Sequence, residues 1–145
     1  MSLLKVFVYG TLKPGEYNYQ RYCAGKVVAA QPATAFGRLF ALPVGYPAMT
    51  AGEETVCGVL LSFSDPAVLQ DLDQLEDYDP HRLPAQNEYN RVQIEVFDLS
   101  GQMLDFAWVY LMTPEQVERR GGVLVASGCW SAGESPENKY ETTDF

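Results

Sequence analysis

Only one long stretch of this chain carries a helical apolar period, and β-rich runs flank it on both sides. The stretch is Asp65–Asp77. Asp65 suits an N-cap and Pro66 suits the first helical position. Val68, Leu69, Leu72 and Leu75 then recur at helical spacing. At about 100° per residue, Val68, Leu72 and Leu75 fall within roughly 60° of one another, so this stripe faces a core. Leu3–Tyr9, Thr34–Leu42 and Thr55–Phe63 read as strands, the last two separated by a loop carrying Gly45-Tyr46-Pro47. Glu88–Phe97 and Met103–Leu111 read as an antiparallel hairpin turning through Asp98–Gln102. Asn18–Ala24 offers one or two helical turns, and Thr113-Pro114-Glu115 opens a short helix. One central helix among several strands implies an α+β fold on a small mixed sheet, curled or closed into a partial barrel. The 145 residues are enough for one cored domain, expected over residues 1–120. Beyond Gly121 the periodicity fades, and residues 121–145 read as an extension or tail carrying Glu134, Glu137, Glu141 and Asp144.

The central helix bears one carboxylate in the wrong place. Asp77 projects nearly opposite the apolar stripe, and Asp71 and Asp73 lie about 90–110° from its centre, so all three are expected in water. Glu76 lies only about 50° from that centre, one turn beyond Leu72. A carboxylate on an apolar face must pair, take up a proton or do chemistry, because burying an unpaired charge is costly. Glu76 could bond a backbone N–H or Arg91, or the helix could fray before it. Otherwise it stands in a pocket wall, its proton affinity raised, as a general acid/base.

Composition narrows the alternatives. With 19 acidic and 10 basic residues the net charge is −9, which opposes binding to nucleic-acid phosphates and to anionic membranes. The first ten residues lack the features of a secretory signal, and no run approaches a membrane span, so a cytoplasmic protein is expected. Cys23, Cys57 and Cys129 have no metal-site spacing and read as buried or free thiols. The single histidine, His81, sits in a proline-rich loop and reads as a surface residue. The loop Gly10-Thr11-Leu12-Lys13-Pro14-Gly15 fails the P-loop pattern, since Glu16 and Tyr17 stand where Lys and Ser or Thr are required. Its backbone N–H groups could still form a nest for a small anion such as a carboxylate. The alternating aromatics Phe106, Trp108 and Tyr110 read as a core face, and Trp130 either closes a pocket or tucks the tail down.

Several segments together are similar to a known family. Val6-Phe7-Val8-Tyr9-Gly10-Thr11-Leu12-Lys13-Pro14-Gly15 resembles the opening signature of the gamma-glutamylcyclotransferase-like superfamily, which includes gamma-glutamylamine cyclotransferases and the plant avirulence-induced-gene proteins. Gly45-Tyr46-Pro47-Ala48-Met49, Gly58-Val59-Leu60, Leu72-Asp73-Gln74-Leu75-Glu76-Asp77-Tyr78, Tyr89-Asn90-Arg91 and Ala107-Trp108-Val109-Tyr110 follow in order, over about residues 4–111. Asp77 departs from the pattern, where many members have glycine. The resemblance implies a small α/β fold on a curled sheet and an enzyme that needs no metal or organic cofactor. It implies that Tyr9, Gly10, Thr11 and Leu12 hold a γ-glutamyl unit and that Glu76 is the acid/base, closing that unit to 5-oxoproline with release of an amine. Tyr89 and Tyr110 are candidates for hydroxyl contacts to the substrate, and Arg91 for orienting Glu76 or binding substrate. A non-catalytic module that binds an amino-acid-like ligand is the alternative.

Overall fold

The computed structural model describes residues 3–131. Six strands, β1 (Leu4–Val8), β2 (Val27–Ala41), β3 (Pro47–Phe63), β4 (Asn90–Phe97), β5 (Met103–Leu111) and β6 (Val123–Leu124), run with three helices, α1 (Tyr19–Tyr22), α2 (Val68–Leu75) and α3 (Pro114–Arg119). The sheet order is β3-β1-β5-β4-β2-β6, and β3 pairs with β2 as well, so five strands close into a ring. Closure is thin at two seams, where β2 meets β4 through the pair Thr34–Phe97 and β1 meets β5 through Val6–Trp108. β1 and β5 pair in parallel and the other pairings are antiparallel, so the expected mixed, curled sheet is present.

Side-chain alternation explains the ring. Along β2, Ala33, Ala35, Gly37, Leu39 and Ala41 are buried at a period of two. Ala33, Ala35, Leu39 and Ala41 form a cluster with Phe7, Met49, Val56, Val96 and Val109, drawn from all five ring strands. On the opposite face of β1, Val6 and Val8 join Leu61, Phe63, Val68 and Leu72, so α2 lies against that side. The helical stripe read from the sequence is therefore the docking face of α2. No helix among the described residues is long and apolar enough to cross a membrane.

Several expectations shift. β2 and β3 begin earlier than the apolar runs suggested, at Val27 and Pro47. Of their added residues, 28–32 and 51–54 are exposed while Pro47–Thr50 are buried, so burial there follows no period of two. α2 is shorter than Asp65–Asp77. Asp65 caps the preceding turn through the Ala67 N–H at 2.9 Å, and the backbone turns left-handed at Asp77 (φ 54°). α3 matches its reading, with the Thr113 hydroxyl accepting from the Gln116 N–H. Of the aromatic row on β5, only Tyr110 is fully buried, while Phe106 is exposed. The thiol reading holds for the buried Cys23 alone, because Cys57 and Cys129 form a disulfide across 72 residues. Their spacing concealed this, since the ring brings them together. Residues 121–131, expected to begin a tail, lie on the domain: β6 pairs with β2, and Val125 and Trp130 are buried. The acidic positions from Glu134 onward fall outside the described residues.

Leu72 is fully buried at the centre of the α2 contact. We expect Leu72→Ala to cost about 2–5 kcal/mol of stability by loss of burial and creation of a cavity. Urea titration checks this, and a loss under about 1 kcal/mol would mean that α2 is not docked as described.

Candidate active site

A cavity of about 490 Å³ opens where the end of β1, the β2–β3 turn and the end of α2 converge. The loop Tyr9–Leu12 forms one wall, Gly45–Pro47 another, and Glu76, Glu88, Tyr89, Tyr110 and Trp130 complete it. Gly10 is required for this convergence, because a Cβ there would lie 2.6 Å from Pro47 Cγ.

Glu76 caps α2, its N–H donating to the Leu72 carbonyl at 2.9 Å. Its own carbonyl accepts from the Tyr89 N–H at 3.3 Å, and the Asp77 carbonyl accepts from the Glu88 N–H at 3.2 Å. The chain that leads into β4 is thereby tied to the helix end. The Glu76 side chain lines the cavity, and among the described residues no hydrogen bond or ion pair reaches its carboxyl. Loss of water, with the negative charge of Glu88 second, pushes its pKa from 4.5 up to about 8.

Arg91 is not the partner of Glu76 and does not line the cavity. Its Nε donates to Asp73 Oδ1 at 2.8 Å, and its guanidinium stacks 4.4 Å from the Trp108 ring and 5.2 Å from that of Tyr78. Asp73 is therefore not the solvated acid that its wheel position suggested. It also accepts from the Tyr110 hydroxyl at 2.7 Å. The other tyrosine hydroxyls proposed for substrate contact are likewise committed. Tyr9 donates to the Tyr110 carbonyl at 2.5 Å and Tyr89 to the Pro47 carbonyl at 2.6 Å. These tyrosines brace the walls and offer the cavity their rings.

The first loop turns through the Lys13 N–H bonded to the Gly10 carbonyl at 3.0 Å. Asn18 holds Thr11 by side chain and backbone, at 2.9 and 2.8 Å. Among the described residues nothing accepts from the N–H groups of Gly10, Thr11 and Leu12. His81 is exposed, in line with its surface reading.

Two residues escaped the sequence reading. Glu88 lines the cavity and accepts from the Tyr46 hydroxyl at 2.5 Å, and Arg120 reaches the same oxygen at 3.4 Å. Burial and this bond push the Tyr46 hydroxyl up to about 12. Glu88 adjoins the Tyr89-Asn90-Arg91 segment, but it lies in an irregular stretch without a period that could mark it. Among the described residues, no group of His, Cys, Asp and Glu is arranged to hold a metal ion.

Residues 6–132 match the family described as gamma-glutamyl cyclotransferase, AIG2-like. Over 105 residues the chain is 30% identical to the gamma-L-glutamyl-butirosin B gamma-glutamyl cyclotransferase of Niallia circulans, covering 72% of this chain and 65% of that protein. It thus spans slightly less than two thirds of that relative. An AIG2-like protein from Mus musculus has a similar solved structure, with a TM-score of 0.66 at 22% identity over 94% of this chain and 93% of its own. YkqA from Bacillus subtilis is similar at a TM-score of 0.63 and 19% identity, over 99% of this chain and 44% of its own. The two structures establish the shared fold.

The raised pKa of Glu76 has a stability consequence. The folded state holds this proton more tightly than the unfolded state does. The contribution to stability is full below about 4.5 and is lost as pH rises through about 8. We expect wild type to lose stability relative to Glu76→Gln across that interval. Denaturant titrations at several pH values check it, and a difference that does not change with pH would place Glu76 in ordinary solvent.

Proposed function

The chain belongs to the gamma-glutamyl cyclotransferase, AIG2-like family, and from that premise we propose that it closes the γ-glutamyl unit of a small substrate to 5-oxoproline and releases an amine, with Glu76 as general acid/base. One observation carries the reading. An unpaired carboxyl of raised proton affinity shares a cavity with three backbone N–H groups that have no acceptor among the described residues.

The reaction is an intramolecular aminolysis. The substrate's α-amine attacks its own γ-carbonyl, the ring C–N bond forms and the bond to the leaving nitrogen breaks. The α-ammonium gives up two protons in becoming the lactam N–H, and the leaving nitrogen takes up two as it departs as an ammonium. A single carboxylate can relay them in turn if its pKa lies near the working pH, where Glu76 stands. Nucleophile and electrophile share one molecule, so the protein's main task is to hold the bent conformer. The N–H groups of Gly10, Thr11 and Leu12 suit the substrate α-carboxylate, as a nest suits any small anion. The rings of Tyr9, Tyr89 and Tyr110 wall the site. Arg91 serves through Asp73, three residues before Glu76, by fixing the last turn of α2.

Incubation with γ-glutamyl dipeptides, γ-glutamyl-ε-lysine and other γ-glutamylamines should release 5-oxoproline from at least one. Glu76→Gln keeps the size and removes the base, and should lower kcat/KM by about 100-fold or more. Wild-type kcat/KM should rise with pH as Glu76 ionises near 8. A Gln variant that retains most of the rate removes Glu76 from the mechanism. Saturable thermal stabilisation by glutamate or 5-oxoproline, with no turnover of any substrate, would favour a binding module instead.

A further inference from the structure

Among the described residues, the charged side chains lining the cavity are Glu16, Glu76 and Glu88, and no Lys, Arg or His lines it. In the cyclotransferase reading, on which this inference rests, Glu76 and the Gly10–Leu12 loop engage the γ-glutamyl head. Glu16 and Glu88 are then left facing the group beyond the scissile bond.

Glu88 is arranged for that contact. Tyr46 and Arg120 both bond its Oε2, at 2.5 and 3.4 Å. Its Oε1 has no partner among the described residues, and neither has the Glu16 carboxylate. Arg120 is itself 40% exposed, so its pairing is screened by water and leaves negative charge on the cavity side. Aromatic rings stand beside these acids, since Tyr46 and Trp130 line the same cavity. Carboxylate oxygens and ring faces together attract an ammonium. A distal carboxylate would meet two like charges, and among the described residues no cation lines the cavity to offset them.

We propose that Glu88, seconded by Glu16, selects γ-glutamyl substrates whose leaving amine carries a second positive charge, as in a diamine or polyamine. Lys13 does not compete for this role, because its ammonium is bound to the Trp130 carbonyl and it lies outside the cavity lining.

Three substrates of matched length test this: γ-glutamyl-cadaverine, γ-glutamyl-hexylamine and γ-glutamyl-ε-aminocaproate, which end in ammonium, methyl and carboxylate. Wild-type kcat/KM should fall in that order, by about 10-fold from ammonium to methyl and further to carboxylate. Glu88→Gln should shrink the ammonium-to-methyl ratio to about threefold or less. Because the ratio is read within each variant, a partial loss of folded protein does not affect it. A methyl compound used as well as the ammonium one, or a ratio unchanged in Glu88→Gln, overturns the proposal and leaves the cyclotransferase reading intact. If none of the three is turned over, the cyclotransferase reading fails for this class. Calorimetric binding of the same compounds to wild type and Glu88→Gln then decides the charge preference by the same order.

Discussion

Two backbone hydrogen bonds hold this site together: Tyr89 N–H to the Glu76 carbonyl and Glu88 N–H to the Asp77 carbonyl. They join the end of α2 to the segment entering β4, and so place Glu76 and Glu88, from the two ends of the intervening loop, in one cavity. The left-handed turn at Asp77 makes the joint possible. Glycine takes such a conformation at least cost, and aspartate tolerates it better than most. Asp77, the departure noted in the sequence, thus adopts the conformation that glycine favours.

The end of α2 carries two carboxylates with opposite fates. Asp73 accepts from Arg91 and Tyr110, and so spends its charge on binding α2 to β4 and β5. Glu76, one turn later, finds no such donor and faces the cavity beside a second acid. Desolvation without a counter-charge is what raises a carboxyl pKa, and a nearby like charge adds to it. The reactivity proposed for Glu76 therefore depends on Arg91 being held by Asp73. Had Arg91 reached Glu76, the latter would be an ordinary ion pair.

What the sequence disclosed follows the range of the forces involved. The stripe of α2, the Thr113 cap, the β4–β5 hairpin and the anomaly at Glu76 are all encoded within a few turns or strand repeats, where periodicity reads them. In the early halves of β2 and β3 exposed and buried residues come in blocks, 28–32 and 51–54 exposed and Pro47–Thr50 buried, so no strand period marks them. The Cys57–Cys129 link and the burial of Trp130 depend on ring closure, which no local pattern contains. Asp73 was misread because a flank position on a helical wheel is decided by what lies alongside it. Here that is a strand carrying Arg91, not water. Glu88 lies in an irregular stretch, where a carboxylate that lines a cavity and one on the surface look alike.

The polar groups of the cavity sort by whether they have partners. The hydroxyls of Tyr9, Tyr89 and Tyr110 are each spent on a carbonyl or on Asp73, and Tyr46 is spent on Glu88. Folding has used these groups to fix the walls. Among the described residues, the Glu76 carboxyl, one oxygen of Glu88 and the N–H groups of Gly10–Leu12 remain without partners. Enclosed polar groups are satisfied in nearly all folded proteins, so an unsatisfied set gathered in one cavity calls for a partner from outside the chain. In the proposed reading its composition suits such a partner: donors for an anion at one wall, acceptors for ammonium groups at the others. A zwitterionic amino-acid head with a basic group attached meets both demands, whereas a simple anion or a neutral apolar ligand would leave part of the set unmet.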